Sequence, residues 1–180
     1  MRDLLSAGVF LGAPAILIYL LIRFSLFREK KFRFGRDILR VAFIGYVTML
    51  IHVTWISGGG YYNHLNYNLL PFRTIIEYSK SDFHTVAINN ILGNMILTLP
   101  LGFFAAFGLR LIPKINIYIY SILIPLIIEF GQLVLFIAKY GSRSVDIDDI
   151  ILNSVGILIG YSFSKIIFVN GTKGKSLKAS

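Results

Sequence analysis

The chain is built of long apolar runs separated by short polar ones. Residues 4–22 carry no charge and are closed by Arg23. Residues 41–57 follow Arg40 and end at Gly58-Gly59-Gly60, a run that disfavours helix. Residues 83–109 lie uncharged between Asp82 and Arg110, and 115–138 contain only Glu129. The last run, 147–168, is interrupted near its ends by Asp148, Asp149 and Lys165. About 20 apolar residues cross the hydrocarbon core as a helix. The pattern therefore predicts an all-α polytopic membrane bundle of about five transmembrane helices, near 4–23, 39–57, 88–109, 116–138 and 147–168. Pro14, Pro100 and Pro125 fall inside spans, where kinks are expected and tolerated. The first run reads as an uncleaved span rather than a signal peptide. Its dense basic cluster follows it, and no small-x-small cleavage site precedes a soluble domain.

Composition agrees. Hydrophobic residues make up 56% of the chain and charged ones 15%, too few charges to cover a soluble core of this size. The absence of cysteine excludes disulfides, thiolate nucleophiles and cysteine metal sites. In a soluble chain the net charge of +9 would raise nucleic acid; in a membrane chain its distribution matters more. Arg23, Arg28, Lys30, Lys31, Arg33, Arg36, Arg40, Arg110, Lys114, Lys165, Lys173, Lys175 and Lys178 would share one side. Only Arg2, Arg73, Lys80, Lys139 and Arg143 fall on the other. The N-terminus is thus expected outside and the C-terminus in the cytoplasm. The basic first loop then meets anionic lipid rather than nucleic acid. Asp3, Glu77, Asp82, Glu129, Asp146, Asp148 and Asp149 fall outside or in the outer half of the membrane, which puts the unusual polar chemistry there.

Three constellations could carry that chemistry. Glu129 and Gln132 share a helix face, and after the short loop 139–144 Asp146, Asp149 and Asn153 recur at i, i+3 and i+7. Helices joined by so short a loop are neighbours, so these five can face one another beneath Arg143, with Asp148 turned to water. Carboxylates in hydrocarbon call for a partner or a function. This set could hold a divalent cation, act as acid and base, or bind a polar head group. The structural alternative is helix–helix glue, with Asp149 capping the fifth span and Arg143 paired to Asp146. In the third span, Asn90 and Asn94 flank Gly93, where another backbone could come close, and Pro100-Leu-Gly102 is expected to break the helix. The outer loop, about 58–87, is rich in Tyr, Asn and His and continues Asn68-Leu-Leu-Pro71-Phe-Arg73. Phe72, Ile75 and Ile76 suggest a short amphipathic helix on the outer leaflet, with Arg73 reaching the carboxylates or a lipid phosphate. His64 and His84 are too isolated to argue a zinc site.

In order, Asn68-Leu-Leu-Pro71-Phe-Arg73, Asn90-Ile-Leu-Gly93-Asn94 with Leu99-Pro100-Leu-Gly102, Glu129-Phe-Gly-Gln132 and Arg143-Ser-Val-Asp146-Ile-Asp-Asp149-Ile-Ile-Leu-Asn153-Ser-Val-Gly156 resemble the VanZ-like family. The resemblance covers about 40–168. It implies a small multi-pass protein, mostly of Gram-positive bacteria, whose namesake confers low-level resistance to the glycopeptide teicoplanin. It implies a setting, the outer leaflet and cell-wall chemistry, but no reaction. The chain then divides into a first helix and basic loop (1–38), a VanZ-like membrane domain (39–168) and a basic tail (169–180). The expected role is action at the outer leaflet of the bacterial plasma membrane on a membrane lipid, cell-wall precursor or lipoglycopeptide. Arg73, Asn68, Asn90, Asn94, Gln132, Arg143 and Asn153 would bind, and Glu129, Asp146 and Asp149 would hold a divalent cation or act as acid and base. A metal-dependent membrane hydrolase or transferase, a transporter, and a non-catalytic partner of a larger complex are the alternatives.

Overall fold

The computed structural model describes residues 12–26, 34–57, 67–80, 84–106, 116–140 and 145–176. These form an all-α protein in two compact units, Met1–Gly60 and Tyr61–Ser180. Four helices are long and apolar enough to cross a membrane: Asp37–Ile56, Ile88–Ala106, Ile117–Ile137 and Ile147–Ile167. They match the second to fifth runs of the sequence within a few residues. The first run is described only from residue 12, and its apolar helix there is shorter.

In the first unit α1 (Ala13–Leu26) packs on α2 (Phe34–Ile51), which continues through a π-helical turn, His52–Ile56. Within that turn Thr54 is buried and its hydroxyl donates to the Leu50 carbonyl at 2.8 Å. This satisfies a polar side chain locally, as apolar surroundings require.

The second unit is a bundle of three long helices with a short one beside them. These are α3 (Arg73–Lys80), α4 (His84–Ala106), α5 (Ile117–Ile137) and α6 (Ile147–Ser176). Asn116 caps α5, its side chain accepting from the Tyr118 N–H at 3.0 Å. At the other end Lys139 adopts a left-handed conformation (φ 61°). Tyr140 N–H then reaches the Leu135 carbonyl and Lys139 N–H the Phe136 carbonyl. That Schellman pattern ends the helix and starts the turn toward α6. The prolines do not interrupt the helices: α4 runs through Pro100 and α5 through Pro125. The break expected at Pro100-Leu-Gly102 is therefore absent, because packing against α6 holds this segment helical.

Among the described residues the most extensive contact is between α4 and α6, which run parallel with α5 as the return. Three glycines make it possible. A Cβ on Gly102 would lie 1.8 Å from the Ile157 carbonyl oxygen, and one on Gly160 would lie 1.9 Å from the Leu99 carbonyl oxygen. One on Gly156 would lie 2.3 Å from the Met95 carbonyl oxygen. No side chain fits there, so the two backbones meet, as in small-residue membrane interfaces. Gly93, expected to admit a close backbone, has nothing within 4 Å of such a Cβ. The close approach begins just past it, where the Met95 and Leu99 carbonyls meet Gly156 and Gly160, and the α4 glycine that takes part is Gly102. Ile157 and Thr98 are fully buried at the crossing, and the Thr98 hydroxyl lies 2.8 Å from the Asn153 carbonyl.

Candidate functional site

The start of α6 organises the polar residues. Asp146 is its N-cap, its Oδ1 accepting from the Asp148 N–H at 2.8 Å. Val145–Asp146 also forms a two-residue strand, β2, parallel to β1 (Tyr67–Asn68), with Asn68 opposite Asp146. The outer-loop segment 67–80 is thereby stitched to the head of α6.

Asp148 makes the second stitch, and here the sequence expectation is corrected. Asp148 does not turn to water; it is fully buried. Its Oδ1 accepts from the Phe72 N–H at 2.5 Å, and its Oδ2 from Thr74 N–H at 2.8 Å and Ile75 N–H at 3.3 Å. The cause lies in α3. A helix start leaves N–H groups unpaired, and Ser, Thr, Asp or Asn usually accepts from them. Here Phe72 precedes the helix and has no acceptor. A carboxylate from a distant segment does the capping, where negative charge is also favoured by the helix dipole.

A side-chain network joins the two stitches. The Asn68 amide donates to Thr74 Oγ1 and to Asp146 Oδ1, each at 3.0 Å, and its own oxygen accepts from Leu70 N–H. Thr74 Oγ1 donates to Asp146 Oδ2 at 2.6 Å. Glu129, buried on α5, accepts from the Asp146 N–H at 3.2 Å. Gln132 is buried one turn along the same helix, and Asn153 lies buried further into α6. Asn94 donates to Asp149 in a short contact between α4 and α6. The Asn90 amide donates to the Tyr78 hydroxyl at 3.0 Å, tying the far end of α3 to α4. Burial, and next the negative charges of Asp149, Asp146 and Glu77, raise the Tyr78 pKa above its ordinary value.

Most predicted site residues are thus drawn toward the heads of α4 and α6: Asn68, Asn90, Asn94, Glu129, Asp146 and Asp149. Arg143 lies outside the described residues. Arg73 does not contact the carboxylates through any bond described; its Nε donates to exposed Glu77 at 2.8 Å, one helical turn along. The backbone N–H groups beside it make the connection instead. Asp146 and Asp148 meet donors on both oxygens, and among the described residues no three His, Cys, Asp or Glu side chains group as a metal-ion site. Asp149, expected as the cap of the fifth span, bonds Asn94, and Asp146 caps instead. Thr74 and Tyr78 escaped the sequence reading, which turned Asp148 to water. Only the missing acceptor before α3 hinted that a cap must come from elsewhere.

The turn that leads into α3 is strained. Arg73 N–H reaches the Leu70 carbonyl at 3.3 Å, with Pro71 and Phe72 between them. Phe72 has φ 66°, the value a type II turn requires at its third residue and one that favours glycine. For a bulky side chain this costs on the order of 1 kcal/mol. The result is an exposed aromatic: Phe72 stands with Leu69, Leu70 and Ile76 as an apolar surface that the fold leaves uncovered.

Four helices of membrane-crossing length and an amphipathic helix pinned to the heads of two of them define a multi-pass membrane protein with a polar cluster at those helix heads. The family model described as VanZ/LLP1 matches residues 43–168, and the chain belongs to that family. No curated protein and no solved structure matches it.

Proposed function

We propose that this protein acts at the outer leaflet of the bacterial plasma membrane, on an amphiphilic cell-envelope component. A lipid-linked cell-wall precursor or a lipoglycopeptide such as teicoplanin has the required chemistry. The observation that carries this reading is the α3 platform. Its apolar residues Leu69, Leu70, Phe72 and Ile76 are exposed together, suited to an acyl chain or to the leaflet itself. Arg73, next to Phe72 in the chain and bonded to Glu77, suits an anionic group, and Asn90, bonded to Tyr78 at the far end of α3, a hydroxyl-rich one. In this reading Asp146 and Asp148 hold the platform, while Glu129 and Asp149 fix the helices beneath it. Family membership and the distribution of Lys and Arg support the setting, with the N-terminus outside and the C-terminus cytoplasmic.

Phe72→Gly separates the fold from the function. Glycine suits φ 66°, so the turn should persist, but the exposed aromatic is lost. Expression of the wild-type chain in a susceptible Gram-positive host should raise the teicoplanin inhibitory concentration, and Phe72→Gly at equal membrane abundance should not. Equal protection by both proteins would remove the platform from the function, and no protection by either would remove the glycopeptide.

A further inference from the structure

The first unit carries a second constellation, at the basic ends of α1 and α2. Asp37 is buried in the first turn of α2, and one of its oxygens gathers three donors. Tyr19 Oη donates at 3.0 Å, Arg40 Nη1 at 3.1 Å and Arg23 Nε at 3.4 Å. One carboxylate therefore orients two guanidiniums, and the three charges sum to one positive charge. Each guanidinium has five N–H donors in a fixed fork suited to phosphate. Beside this cluster is a cavity of about 310 Å³ whose walls include Leu20, Ile38, Val41 and Ala42. A net positive rim over an apolar cavity on membrane helices is complementary to one kind of molecule. The connecting loop adds Arg28, Lys30, Lys31 and Arg33 against Glu29, so anionic surfaces are drawn to this end.

We propose that the α1–α2 pair binds an anionic phospholipid. Arg23 and Arg40 hold its phosphate, Asp37 and Tyr19 position the arginines, and an acyl chain enters the cavity. This site lies wholly in the first unit and does not depend on the role proposed for the α3 platform.

The test uses the full chain reconstituted in phosphatidylcholine vesicles containing either spin-labelled phosphatidylglycerol or spin-labelled phosphatidylcholine. The motionally restricted fraction of each label gives the relative association. Phosphatidylglycerol should be preferred about tenfold, because both lipids offer the phosphate but only phosphatidylcholine brings a cation against the net positive rim. Arg40→Gln should bring the preference close to one. Lys31→Gln, in the loop, should leave it unchanged. Ala42→Trp fills the cavity without touching the charges and should also remove the preference. This variant keeps the test decisive if Arg40→Gln fails to fold. Equal association of the two lipids with the wild-type chain would overturn the proposal. So would a loss in Lys31→Gln as large as in Arg40→Gln, which marks diffuse surface attraction. Full preference in Ala42→Trp, or displacement of the lipid by inorganic phosphate, would overturn it as well.

Discussion

Asp148→Ala should release the start of α3 without unfolding the bundle. The wild-type carboxylate accepts three backbone N–H groups, from Phe72, Thr74 and Ile75. A hydrogen bond to a charged group contributes about 1.5 kcal/mol at the low end. Water will re-solvate the freed N–H groups on this half-buried segment, so the net loss should be about 3 kcal/mol rather than the full sum. That is on the order of a hundredfold in the local opening equilibrium. Asp148→Asn should fall between, since its single amide oxygen can serve only one side of the carboxylate it replaces. Hydrogen–deuterium exchange in detergent or nanodiscs reads the result. Peptides covering 72–76 should exchange on the order of a hundredfold faster in Asp148→Ala, while peptides within α5 keep their protection. Unchanged exchange at 72–76 would refute the capping of α3 by Asp148. Equal acceleration in α5 would show that Asp148 holds the bundle rather than the platform.

Gly160→Ala should lower the thermal stability of the purified protein by about 1–3 kcal/mol or prevent its assembly, since its Cβ would meet the Leu99 carbonyl. Gly93→Ala, with open space around it, should leave the unfolding midpoint within about 0.5 kcal/mol of wild type. The Tyr78 pKa is raised, so the neutral phenol is favoured in the fold and its contribution is complete below the unfolded value of about 10. It is lost only as pH rises through the higher folded value. Protection of peptides covering 76–80, taken relative to intrinsic exchange at each pH, should therefore be steady at and below about pH 10 and fall above it, and Tyr78→Phe should remove that fall. Loss of that protection beginning well below pH 10 would contradict the shift.

The helices were legible because membrane burial writes itself as uninterrupted apolar runs. The ends of α5 and α6 follow directly from the run that stops at Ala138 and the one that starts at Ile147. The polar site was only partly legible. Spacing along α6 brings out Asp146 and Asp149, and it leaves Asp148 on the opposite side of the stripe. Asp148 is buried there because the partner on that side is backbone from 72–75, and backbone N–H groups leave no mark in a sequence. The parallel pairing of Tyr67–Asn68 with Val145–Asp146 is two residues long, below any periodic signal. The α4–α6 crossing was readable in principle. Gly156, Gly160 and Ser164 recur every fourth residue, the small-residue spacing of close membrane helices. Gly93 draws the eye because it lies between two asparagines, yet a glycine matters to packing only where a backbone arrives.

The chain has no cysteine, so single cysteines can report its sidedness without a background. Ser79 is exposed on α3 and Gly35 is exposed at the start of α2. In intact cells a membrane-impermeant maleimide should label the Ser79→Cys variant, and should label Gly35→Cys only after the cells are permeabilised. Labelling of Gly35→Cys in intact cells with Ser79→Cys protected would place the α3 platform on the cytoplasmic side and contradict an action at the outer leaflet.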